Sequence, residues 1–226
     1  MQNKKIGIAV GTAFGACILL LTGCSVAGNW GYSPLTKDYQ FEADSLTGIL
    51  INSNHSALSI YASDLVTDIQ VTIKGRKPDV NNTTVQDNGG TLTVTGANRQ
   101  SRSVYITIIV PKNSSYNYEA SALSGSVTIN TLQGKDFEIV SNNGDISFSD
   151  IQAENIEITA DNGMVTFDNV HNGNHYIKSD SGTVIVNNSS GETLFIENNN
   201  GTIRGGNLEY KIITPISSNG TIDIQE

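Results

Sequence analysis

Six glycines recur at one interval of 19 residues: Gly125, Gly144, Gly163, Gly182, Gly201 and Gly220. Two places after each stands a β-branched aliphatic residue, in turn Val127, Ile146, Val165, Val184, Ile203 and Ile222. More apolar columns follow at +4 (Ile129, Phe148, Phe167, Val186, Ile224), +7 (Leu132, Ile151, Val170, Leu208), +12 (Phe137, Ile156, Leu194, Ile213) and +14 (Ile139, Ile158, Ile177, Ile196). Gly205, Ser189, His175 and Pro215 are the departures from these columns. Three before each glycine the residue is small or short and polar: Ala122, Ser141, Ala160, Ser179, Asn198, Ser217. A fixed period of this kind marks a repeat architecture, in which each unit buries its apolar face only against its neighbours.

Spacing of two within +2/+4 and within +12/+14 describes two strands per repeat, each with one inward face. The +7 residue tucks in at a bend between them. Identical columns coincide only if equivalent strands stack in parallel. The expected fold is therefore all-β, a single-stranded parallel β-solenoid (β-helix) with 19-residue coils, right-handed as nearly all parallel crossovers are. Asx or Ser residues precede the glycine in repeats two to six, and Asn-Gly and Ser-Gly mark turns of positive φ. The six glycines thus read as structural turn residues, with the amides beside them stacked as an asparagine ladder. The last repeat supplies a first strand only. Pro215 then falls on an edge, and Asp223 and Glu226 put charge on the terminal strand, which discourages edge-to-edge growth.

Before the repeats, residues 38–121 read as irregular N-terminal β coils. Residues 69–74 alternate as a half-buried strand should, and residues 104–110, stopped by Pro111, form the strongest strand signal in the chain. Gly75-Arg76-Lys77-Pro78 is a break and residues 81–90 a polar loop. No helical pattern of useful length follows residue 24.

The N-terminus reads as a targeting signal. Lys4 and Lys5 precede an uncharged apolar run over residues 6–21, too short for a comfortable bilayer span of ~20 residues but right for a secretory signal. The run ends Leu21-Thr22-Gly23-Cys24, which resembles the lipobox of bacterial lipoproteins. The layout expected is a lipoprotein signal peptide (1–23), a lipidated N-terminus and tether (24–37), the irregular coils (38–121) and the regular repeats (122–226). Cys24 would carry the lipid and Cys17 would be removed, leaving no disulfide. The membrane is then one partner, held through the anchor. Trp30 and Tyr32 in the tether would rest at the headgroups or pack on the first strands.

Chemistry is sparse. Formal charge is −9, and −11 without Lys4 and Lys5, which argues against nucleic acid. His55, His171 and His175 are the only histidines, and the last two flank Asn172-Gly173-Asn174; metal ligation there competes with a loop histidine and a polar lapse in the +12 column. Asp161 and Asp180 share one column in adjacent repeats, near Asp145. Such a pair could bind Ca²⁺ or share a proton. The simpler account is a turn ladder that accepts any Asx, because Asn142 and Asn199 stand in the same column. An ice-binding Thr-x-Thr array is set aside, since the candidate columns are irregular. No catalytic residue, metal site or cofactor is assigned.

The run Ile106-Thr107-Ile108-Ile109-Val110-Pro111, leading into units such as Asn142-Asn143-Gly144-Asp145-Ile146 and Asp180-Ser181-Gly182-Thr183-Val184, resembles the DUF4097 family of bacterial β-strand-repeat, adhesin-like domains. The resemblance covers about residues 39–224. It implies a single-stranded solenoid, an envelope location and an adhesive or interaction role, and it supplies no catalytic residues. The expected function is a cell-surface lipoprotein, anchored and extracytoplasmic, whose rigid solenoid is a non-catalytic interaction module for an envelope protein or glycan. The alternatives are a structural or assembly element of the envelope and, more remotely, a carbohydrate-active β-helix enzyme.

Overall fold

The computed structural model describes residues 18–20, 33–98 and 104–225, and the described chain is mostly strand with very little helix. The strands are β1 (Ile18–Leu20), β2 (Pro34–Phe41), β3 (Gly48–Asn54), β4 (Ala57–Ser63), β5 (Ile69–Arg76), β6 (Thr84–Asp87), β7 (Thr91–Thr95), β8 (Tyr105–Pro111) and β9 (Tyr116–Ala122). Four more complete the set: β10 (Val127–Ser141), β11 (Ile146–His171), β12 (Asn174–Ser217) and β13 (Thr221–Gln225). These four pair in parallel at the repeat interval: Val127 opposes Ile146, Val165 opposes Val184 and Ile203 opposes Ile222.

β10 joins two faces. Its first half continues the row β1-β2-β5-β8-β4, and its second half continues β6-β7-β3-β9. The change of face falls at Thr131, which has φ 51°. The same position six after the glycine is left-handed in the next four repeats: Asp150, Asn169, Asn188 and Asn207 have φ between 51° and 60°. Asx residues tolerate this region better than other side chains because their short polar groups bond locally. Here they also bond vertically. The Asn169 amide donates to Asp150 and the Asn207 amide to Asn188, each one repeat below.

The glycine column has a different basis from the one its sequence context suggests. Positive φ occurs at Gly163 and Gly182 but not at Gly125, Gly144, Gly201 or Gly220. What all six share is a close approach of backbone to backbone. A Cβ on Gly144 would lie 2.1 Å from the Gly125 carbonyl oxygen, one on Gly182 2.0 Å from that of Gly163, and one on Gly220 1.8 Å from that of Gly201. Ser56 takes the lower place beneath Gly125 at 1.9 Å. Any side chain would part the repeats.

The predicted inward columns form the core: Val127, Ile129, Ile139, Ile146, Phe148, Ile158, Phe167, Val184 and Ile203 are fully buried. An aromatic spine runs through it. Tyr118 stacks on Phe137 at 4.8 Å, and contacts continue through Phe148 and Phe167 to His175 and Tyr210. Gly134 allows the first stack, since a Cβ there would meet the Phe137 ring at 2.4 Å.

The N-terminal third departs from a uniform parallel stack. β2–β5, β5–β8 and β6–β7 are antiparallel, and β8 lies beyond β4, out of chain order. The break at Lys77 is a short helix, α1 (Lys77–Asn81), which buries Val80 and ties Asp79 to Arg76 at 2.9 Å. The segment read as a polar loop contains β6, which hairpins onto β7. β1 lies inside the apolar run of residues 6–21 and pairs antiparallel with Asp38–Gln40 of β2.

Gly182→Val places a β-branched side chain at φ 134° against a carbonyl. It should cost about 3 kcal/mol or more, lowering the melting temperature by roughly 6–12 °C for a chain of this size. Gly206→Ala, whose new Cβ would meet only the Asn187 side chain at 3.7 Å, should melt with the parent. Thermal denaturation followed by circular dichroism compares the two.

Candidate functional site

Asp161 and Asp180 stay side by side on adjacent strands, between the paired positions Ala160/Ser179 and Asn162/Ser181, and both are exposed. One Asp180 carboxylate oxygen accepts from the Asn199 amide at 3.0 Å, and Asp145 accepts from the Met164 backbone N–H at 2.8 Å. Asn162 donates to Asn143 and Asn219 to Asn200 across neighbouring repeats. Among the described residues no three His, Cys, Asp or Glu side chains converge to hold a metal ion. Cys24, Trp30 and Tyr32 lie outside the described residues. No described helix is long and apolar enough to cross a membrane.

The histidines have separate surroundings. His55 Nδ1 lies 2.6 Å from the Ser124 hydroxyl. His171 bonds Ser190 through Nδ1 and Asn169 through Nε2, both at 2.7 Å. His175 belongs to the core, fully buried where other repeats carry Phe137, Ile156 or Leu194. Its Nδ1 shares a 2.6 Å hydrogen bond with the Tyr210 hydroxyl, and its Nε2 is buried with no bonding partner. Burial, above all, pulls this imidazole down from 6.5 to about 4; the Asn172 backbone carbonyl opposes the shift and His171 adds to it. Burial likewise raises the Tyr210 phenol.

What remains as a candidate site is the outer surface of the two faces, which differ in chemistry. On the first, strand pairing aligns Thr72, Thr107, Ser59, Thr128 and Ser147 as one outward row, and the repeat interval continues it to Thr166. Thr72 donates to Asp38 at 2.7 Å at the start of this row. Tyr61, Tyr105 and Ile109 flank it, and Tyr105 is more than half exposed. Hydroxyls can both donate and accept, so the row offers a flat, neutral hydrogen-bonding surface. The repeat columns alone conceal it. Half of the row comes from β4, β5 and β8, which pair out of chain order.

On the second face the outward row reads Leu50, Glu119, Glu138, Glu157 and Tyr176. Three glutamates on adjacent strands repel one another. Asp136 stands beside them, and an open groove of about 350 Å³ runs past Thr47, Gly48, Thr91 and Asn117 to Glu119 and Glu138. Further along, Tyr176 stacks on Phe195 at 4.8 Å and 4°. One face is thus hydroxyl-rich, and the other passes from acidic to aromatic.

The model of the Toastrack DUF4097 family matches residues 46–224. The chain belongs to that family. The match takes in β3 to β12 whole and nearly all of the repeat region, consistent with the resemblance carried by residues 106–111 and the Asn-Gly units. Among solved structures the Toastrack chain is similar to a candidate adhesin from Bacteroides fragilis, at 16% identity and TM-score 0.55, over 85% of this chain and 97% of that one. It is also similar to a candidate cell adhesion protein from Clostridium sporogenes, at 10% identity and TM-score 0.48, over 84% and 98% of the two chains. A candidate lipid-binding protein from Parabacteroides distasonis aligns at 16% identity and TM-score 0.41, over 88% and 98%. No curated protein matches. At these identities the likeness concerns the fold.

His175 gives the fold a pH dependence of definite sign. Its pKa is lower folded than unfolded, so the site's contribution is full above pH 6.5 and is lost as pH falls through about 4. The loss is on the order of 3 kcal/mol. His175→Phe, which restores the residue type of Phe137, should lose that much less stability between pH 7 and pH 4 than the parent. Urea denaturation at the two pH values measures the difference, and equal losses would assign the acid sensitivity to carboxylates instead.

Proposed function

We propose that this Toastrack protein is a cell-surface lipoprotein whose rigid β-solenoid serves as a non-catalytic, adhesin-like interaction module at the bacterial envelope. The observation that carries this reading is the outward hydroxyl row of Thr72, Thr107, Ser59, Thr128, Ser147 and Thr166. A flat row without a cleft suits an extended partner, an envelope glycan or a protein edge, better than it suits a small substrate enclosed for turnover. The parallel pairing at the repeat interval supports the solenoid reading, which we take as right-handed. The Bacteroides fragilis neighbour supports the adhesive class by analogy of fold.

Anchorage rests on the Leu21-Thr22-Gly23-Cys24 ending of the apolar run. Lipid on Cys24 would leave residues 25–33 as a tether, shorter than the 24–37 expected because Pro34–Lys37 already pair with β5, and make β2 the outermost strand of the first face. Cys24→Ser should abolish lipid labelling and leave the signal uncleaved. A mature-length, membrane-retained product from that variant would remove the lipoprotein reading.

The interaction itself is tested with immobilised cell-wall glycan and with envelope protein fractions. Thr107→Arg with Thr128→Arg, both on the hydroxyl row, should weaken retention at least tenfold while the melting temperature holds. Equal retention of parent and variant would sink the assignment to this face, and cleavage of the glycan would sink the non-catalytic reading.

A further inference from the structure

The hydroxyl row of the first face passes between two tyrosines. Thr107 of β8 opposes Ser59 of β4. Tyr105 stands two places before Thr107 and Tyr61 two places after Ser59, so the two tyrosines rise from adjacent strands on opposite sides of the row. Tyr105 is 56% exposed, and Ala57, its partner across the strand pair, is too short to cover the ring. Tyr61 lies between Ile109 and Asn130 and is half-buried. The two tyrosines are four positions apart along the strand direction, about 13 Å. Hydroxyls form the floor between them. Along the stack the row from Thr72 to Thr166 crosses five strand spacings, ~24 Å.

We propose that this trough binds a neutral, linear glycan of β-1,4-linked pyranoses, set on edge along the row with its sugar faces against Tyr105 and Tyr61. The inference rests on the first face being the interaction surface, and it names the class of partner. Charge excludes other polymers. On β5, β8 and β4 the outward residues flanking the row are neutral apart from Lys74 at the margin. Asp38, Asp145 and Asp168 stand further out, where a polyanion would meet them. A cationic partner is better matched by Glu119, Glu138 and Glu157 on the other face.

Docking of a protein edge is closed by the pairing. β8 is held on both sides, by β5 and β4, and β4 by β8 and β10, so their backbone groups are engaged within the sheet. No partner strand can add here. A sugar chain fits instead. A β-1,4-linked pyranose carries its hydroxyls around the ring edge and bare C–H groups on its two faces. The edge meets Thr107, Ser59 and Thr128, each of which donates and accepts as a sugar hydroxyl does. The C–H groups carry slight positive charge and meet the negative faces of the tyrosine rings. Each unit of such a chain is roughly as long as one strand spacing, ~4.8 Å, so successive sugars keep step with successive hydroxyls.

The test is isothermal titration of the full chain with cellohexaose, with N-acetylated chitohexaose and, as the polyanion, with a hyaluronan hexasaccharide. At least one neutral hexasaccharide should bind, and more tightly than hyaluronan. Tyr105→Ala and Tyr61→Ala should each raise its Kd at least tenfold. Tyr105→Phe, which keeps the ring, should bind as the parent does, and so should Tyr176→Ala on the second face. Tyr105 is more than half exposed, so circular dichroism should report an unchanged fold in Tyr105→Ala. An unchanged Kd in Tyr105→Ala would overturn the proposal, as would hyaluronan binding as tightly as the neutral chains. It also falls if neither neutral hexasaccharide binds. In that case retention of an envelope protein, lost on Thr107→Arg with Thr128→Arg, would leave the interaction reading standing, and no retention of any partner would remove both.

Discussion

Everything in the repeat region depends on how closely two backbones meet at the glycine column. Each glycine places its α-carbon where a Cβ would fall 1.8–2.6 Å from the carbonyl oxygen below, that of Ser56 beneath Gly125 and of the preceding glycine elsewhere. That contact sets the step between repeats at one corner, and the parallel pairing at 19 residues fixes it along both faces. The residue three places earlier uses the space so left. Ser141 bonds both the N–H and the carbonyl of Gly144, and the Asn198 amide bonds the Gly182 carbonyl. Small residues at one column thus give Ser141 and the Asn198 amide partners in the interior, while the Ser179 and Ser217 hydroxyls are buried without one.

The opposite corner works by another device. Thr131, Asp150, Asn169, Asn188 and Asn207 hold a left-handed backbone while keeping side chains, and the amides of Asn169 and Asn207 link repeats vertically. Glycine would relieve the strain there at the loss of those bonds. The two corners therefore use opposite chemistry. One excludes side chains because backbones touch, and the other needs them because backbones do not.

Much of this was legible in the sequence, for a physical reason. A column of identical contacts forces the same residue type at each interval, so Val127, Ile146, Val165, Val184 and Ile203 announce their shared environment. The left-handed corner was equally periodic, but it admits Thr, Asp and Asn and so leaves a diffuse signal. The role of glycine could be located and not explained, because turns and close approaches select the same residue. The N-terminal third was less legible because its pairing follows no interval. Nothing in residues 104–110 reveals that β8 lies between β4 and β5. The hydroxyl row depends on that order, so the candidate surface becomes visible only when Thr72, Thr107 and Ser59 are placed side by side. His175 was legible as a lapse in an apolar column, though not as the partner of Tyr210, which sits 35 residues away.

The corner residues also bear on how such a chain can change length. Each repeat meets its neighbours through the same columns on both sides, so insertion or loss of one whole 19-residue unit leaves each inward residue inward. A change of a single residue reverses the faces of every position up to the next corner and sets polar side chains against the aromatic spine. Variation in this architecture is thereby quantised. A lineage can lengthen or shorten the rod by one strand spacing, ~4.8 Å, per event, and so alter how far a surface stands from its base without redesigning the core.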